Sequence, residues 1–109
     1  MEKHRVLNEL VLAILEIYGS YVVSVILYGS VARGTDTTES DVDIALILKS
    51  GVTKEMYNLL VDRVVDLELE YDEVLSVLKI DADEFKQWED ILPFYTNIKK
   101  DGIVLWNAA

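Results

Sequence analysis

The chain has 109 residues, 51% of them hydrophobic, a length near that of one domain with enough apolar material for a packed core. It has no cysteine, which excludes a disulfide frame, a thiol nucleophile and a thiolate metal site. No apolar run approaches the ~20 residues a membrane span needs. A net charge of −10, with Lys and Arg few and scattered, argues against a grip on long nucleic acid and leaves an acidic surface suited to a basic partner.

In chain order, Val6, Leu7, Leu10, Val11, Ile14 and Leu15 recur at helical spacing and predict an amphipathic helix over the first ~16 residues. Gly19 ends it. The charged start, MEKHRVLNEL, belongs to that helix and is no signal peptide, and the lack of cysteine fits a cytoplasmic protein. Val22 to Tyr28, rich in β-branched and aromatic residues, reads as a buried strand. Residues 30–34 read as a short helical turn and Thr35 to Ser40 as a polar loop. Val42 to Lys49 reads as a central strand, apolar on both faces.

Thr53 to Glu70 carries Met56, Leu59, Leu60, Val64 and Leu67 and reads as a helix. Val74 to Ile80 reads as a third strand, again apolar on both faces. Asp81, with Glu84 three residues on, marks a helix start, and Pro93 opens a last short helix. Asp101-Gly102 stops that helix, and Ile103 to Leu105 adds a short edge strand. With no repeats or linkers, residues 1–109 read as one domain. Alternating helices and buried strands make it an α/β layer fold.

The chemistry is concentrated in LYGSVARGTDTTESDVDIALIL. Asp41 and Asp43 stand two apart at the entry to an apolar strand, so both carboxylates face the same way. A carboxylate inside such a strand is costly to bury unless paired or metal-bound. Gly29 lets a phosphate approach the backbone closely. Ser30 adds a hydroxyl and a main-chain N–H at a helix start, where the dipole favours anions. Arg33 suits a phosphate, although an ion pair with Asp36 or Glu39 would account for it nearly as well. Phosphate handling beside hard oxygen ligands for magnesium reads as phosphoryl or nucleotidyl transfer.

Gly29-Ser30, ten residues, then Asp41-Val42-Asp43, with Arg33-Gly34 completing a GSxARG loop, resembles the nucleotidyltransferase superfamily with the polymerase-beta-type core. The chain is most similar to its minimal, single-domain members, and the likeness extends to the ending PFYTNIKKDGIVL. The resemblance implies a small mixed β-sheet with helices packed on it. It also implies a nucleotide site at Gly29, Ser30 and Arg33, with catalysis and metal binding at Asp41 and Asp43. Those two acids would bridge two Mg²⁺ ions and transfer a nucleoside monophosphate, AMP, from ATP or another NTP to an acceptor hydroxyl. Minimal members commonly pair with a small helical partner of the HEPN class, and in some pairs the nucleotidyltransferase is an antitoxin that adenylylates that partner. The acceptor site would come from such a partner or from a second copy of the chain.

One departure stands out. Family enzymes usually carry a third carboxylate inside a later strand, and the expected position here is Ser76, a poor metal ligand and a poor base. Asp72 or Glu73 could reach in from the start of that strand. The alternative reading is therefore a catalytically impaired nucleotide-binding subunit that acts by association with a helical partner. His4 is expected to be exposed. Phe85, Trp88, Phe94, Tyr95 and Trp106 read as core or interface, and Asp62, Asp66, Glu68 and Glu70 as a solvated helix face.

Overall fold

A computed structural model describes residues 2–37 and 41–108, with Glu2 described by its backbone alone. The order is α1 (Glu2–Tyr18), a 3₁₀ turn (Gly19–Tyr21), β1 (Val22–Tyr28), α2 (Gly29–Arg33), β2 (Val42–Leu48), α3 (Lys54–Tyr71), β3 (Leu75–Asp81), α4 (Ala82–Trp88), α5 (Pro93–Asp101) and β4 (Ile103–Asn107). The four strands form one sheet in the order β3-β2-β1-β4. β1 runs antiparallel to both β2 and β4, whereas β2 and β3 are parallel. The sheet is therefore mixed, and α3 is the crossover that a parallel pair requires.

Helices cover both faces because β1 and β2 are apolar on both. On one face, Val6, Leu10, Ile14 and Tyr18 of α1 and Leu60 and Leu67 of α3 pack against Val25, Leu27, Val42, Ile44 and Leu46. On the other, Phe85 of α4 and Tyr95 and Ile98 of α5 pack against Ile26, Ala45 and Ile47. Tyr71 Oη donates to the Glu9 carboxylate and ties the end of α3 to α1. That bond holds the phenol proton and pushes its pKa up to about 12.

The caps are local and follow the sequence. The Thr53 hydroxyl accepts from Met56 N at 3.2 Å and opens α3. Asp81 accepts from Glu84 N at 3.1 Å and opens α4. Pro93 occupies the first turn of α5. Gly102 closes that helix where a Cβ would collide with the Ile98 carbonyl and the Ile26 side chain.

The third strand corrects the expectation. β3 is an edge strand, with only Leu75 and Ile80 buried. Leu78 is 40% exposed, and Ser76 and Lys79 are exposed too. An apolar run reads the same at the centre of a sheet as at its edge, and it is β1 and β2, each flanked on both sides, that are covered on both faces.

Candidate functional site

The loop between β1 and β2 is shaped by hydrogen bonds close in sequence. Gly29 begins α2 with φ +77°, a left-handed conformation that costs other residues roughly 1–2 kcal/mol. Thr35 N donates to the Ser30 carbonyl at 3.0 Å and Gly34 N to the Val31 carbonyl at 3.2 Å, which ends α2 after one turn. Lys3 Nζ then pairs with the Asp36 carboxylate at 2.9 Å and donates to the Thr37 carbonyl at 3.2 Å, pinning the loop to α1. The hydrogen bond from Lys3 pulls the Asp36 pKa down. Arg33 therefore does not have Asp36 to itself, and Glu39 lies outside the described residues.

Asp43 is the third point of the site. Within β2 it pairs with Tyr28 across the antiparallel ladder and with Ser76 across the parallel one. Paired residues share a face, so Asp43, Tyr28 and Ser76 look out on the side of the sheet away from α1 and α3. A Cβ on Gly29 would run into the Asp43 carboxylate. The glycine is thus required twice, for its φ and for the room it leaves a carboxylate. Burial pushes the Asp43 pKa up, the Asp41 charge adds to that, and Arg33 pulls it partly back. Burial first, and the Asp43 charge second, also raise the Tyr28 phenol.

Gly29, Arg33, Asp41, Asp43 and Ser76 therefore gather at one corner of the sheet, with Ser30 next to Gly29 on α2. A cleft of about 240 Å³ opens beside them, lined by Tyr28, Gly29, Arg33, Phe94, Asn97 and Asp101 among others. Phe94 stands edge-on to Tyr28, ring centroids 5.6 Å apart. Sequence reasoning left Tyr28, Asn97 and Asp101 out of the site and gave Phe94 to core or interface. Nothing local marks them, because α5 reaches the cleft only through the tertiary fold.

The exposed hydroxyl of Ser76 occupies the position beside Asp43, and β3 offers no carboxylate on that face. Asp72 is the left-handed cap of α3, φ +53°. Glu68 is engaged by Leu75 N at 3.0 Å instead of lying on a solvated face. Among the described residues no cluster of three or more His, Asp or Glu could hold a metal ion. Two carboxylates on one face, one of them half-buried beside a like charge, still suit a hard cation. Magnesium is commonly bound by one or two carboxylates together with substrate phosphates.

The family model for the polymerase beta nucleotidyltransferase domain matches residues 9–109. The chain belongs to that family. A *Methanocaldococcus jannaschii* protein named as a candidate protein adenylyltransferase is 28% identical over 106 residues, 97% of this chain and 100% of that protein. The nucleotidyltransferase fold is also seen in a candidate nucleotidyltransferase from *Sulfolobus solfataricus*, with TM-score 0.57 and 21% identity, covering 94% of this chain and 78% of that one. A toxin–antitoxin structure with AMP-PNP gives TM-score 0.60 at 17% identity over 92% and 73% of the two chains. A Shewanella oneidensis structure of tri-AMPylated HEPN toxin with MNT antitoxin gives 0.54 at 14% over 99% and 74%. The chain is thus a nucleotidyltransferase with a mixed-sheet polymerase-beta-type fold, and among its described residues no helix is long and apolar enough to cross a membrane.

Proposed function

We propose that the chain is a Mg²⁺-dependent adenylyltransferase of the cytoplasm, acting as one domain over residues 1–109, that moves AMP from ATP to a hydroxyl on a small helical partner of the HEPN type. The observation that carries this is the packing of the Asp43 carboxylate against Gly29, with Asp41 on the same face. It supports a reading in which Asp41 and Asp43 would hold the metal next to the Gly29-Ser30 turn that would take the phosphates. The adenylyltransferase name of the *M. jannaschii* relative and the AMP-PNP and AMPylated-toxin structures of the fold neighbours support the choice of AMP and partner.

Bound magnesium would neutralise phosphate charge and make pyrophosphate a better leaving group. Asp41 and Asp43 would hold it. Gly29 and Ser30 would receive the triphosphate at the backbone, and Arg33 would offset its charge from the cleft side. Phe94, beside Tyr28, would give the base an apolar wall, with Asn97 at hand for a polar edge. The acceptor oxygen would then bond to the α-phosphorus as the bond to the pyrophosphate oxygen breaks, with the hydroxyl proton passing to water.

Ser76 favours a second reading, a nucleotide-binding subunit with impaired catalysis that acts by association. One experiment separates the two. The chain, a HEPN-type partner, Mg²⁺ and α-labelled ATP are incubated together, with Ser76→Asp in parallel. Label on the partner with wild type supports transfer. Nucleotide binding without label, by wild type and by Ser76→Asp, supports the second reading.

A further inference from the structure

On the face of the sheet away from the nucleotide site, α3 leaves an apolar stripe uncovered. Tyr57, Val61, Val65 and Leu69 are 39%, 39%, 44% and 79% exposed. Their i, i+4 spacing sets them in a row about 18 Å long at 1.5 Å per residue. Tyr57, Val61 and Val65 of the row form one wall of a groove of about 210 Å³ whose floor includes Leu75 and Val77 of β3, and Leu69 continues the row beyond it. The hydrogen bond from Leu75 N to Glu68 braces that floor. At the other end of the row, Lys79 Nζ sits 4.0 Å from the Tyr57 ring centroid. A row at helical spacing beside a groove is the form that accepts an amphipathic helix.

The charge around the row selects the occupant. Glu55, Asp62, Asp66 and Glu70 are all exposed, on the side of α3 adjoining the stripe, against two cations on that helix, Lys54 and Arg63, the latter paired with Glu16 at 3.8 Å. A second copy would bring the same acidic rim against this one, in a chain already at −10. We propose that the groove between α3 and β3 docks an amphipathic helix, apolar on one face and rimmed by Lys or Arg, from a different protein. The docking needs no nucleotide. The groove and Asp43 lie on opposite faces of the sheet, so the docking stands apart from the transfer reading above.

The test uses an 18-residue Leu/Lys amphipathic helical peptide and its Leu/Glu counterpart, titrated into the nucleotide-free chain by calorimetry and by amide chemical shifts. The Leu/Lys peptide should bind with shifts at Val61, Val65, Leu69 and Val77, and the Leu/Glu peptide should not. Val65→Asp should weaken binding at least tenfold although it adds negative charge, while Leu12→Asp, on exposed α1 surface, should not. No binding, equal binding of both peptides, or unchanged affinity in Val65→Asp would overturn the proposal. A dimer of the chain alone that Val65→Asp dissociates would assign the groove to a second copy. Binding of Mg²⁺-ATP, measured separately, keeps a failure here distinct from a failure of the transferase reading.

Discussion

At the residue scale the site turns on the contact between Gly29 and Asp43. Burial raises the Asp43 pKa above its ordinary 3.8. Between the two values the folded chain binds more protons than the unfolded one, so this carboxyl makes metal-free stability fall as pH rises through that window. Asp43→Asn should therefore melt at higher temperature than wild type at neutral pH in chelator, and the gap should close on acidification below the ordinary carboxylate range. A gap that persists in acid would assign the effect to something other than charge. Gly29→Ala meets both obstacles together, the left-handed φ and the carboxylate. It should lose roughly 1–2 kcal/mol of stability or more and weaken ATP binding beyond what the stability loss explains. An Ala variant that binds ATP normally would mean the phosphate does not approach this backbone.

Elements were legible in the sequence where their signals are local. α3 follows from its periodicity and from Thr53, α5 from Pro93, and Gly29, Ser30, Asp41 and Asp43 from motif spacing. β3 was legible as an apolar strand beside β2 but not as an edge, because Val74, Val77 and Leu78 do not record that, among the described residues, no strand pairs beyond it. Tyr28, Phe94, Asn97 and Asp101 escaped for a related reason, since α5 reaches the cleft only when the sheet is assembled. The central position of β2 has an energetic counterpart. Leu46 is fully buried, so Leu46→Ala should cost about 2–5 kcal/mol, while Leu78→Ala on the edge strand should cost much less. Chemical denaturation of both variants checks this, and equal losses would contradict the edge assignment of β3.

For the whole molecule, the sheet divides the labour. One face joins α1 and α3 in the larger core, and the other holds α4, α5 and the corner where Asp43 meets Gly29. The most direct measurement is calorimetry of ATP binding with and without Mg²⁺, on wild type and on Asp41→Asn/Asp43→Asn. Wild type should bind ATP more tightly with Mg²⁺ than without it, and the double variant should lose that gain while remaining folded. Metal-dependent binding of the same strength in the double variant would contradict the assignment of the site.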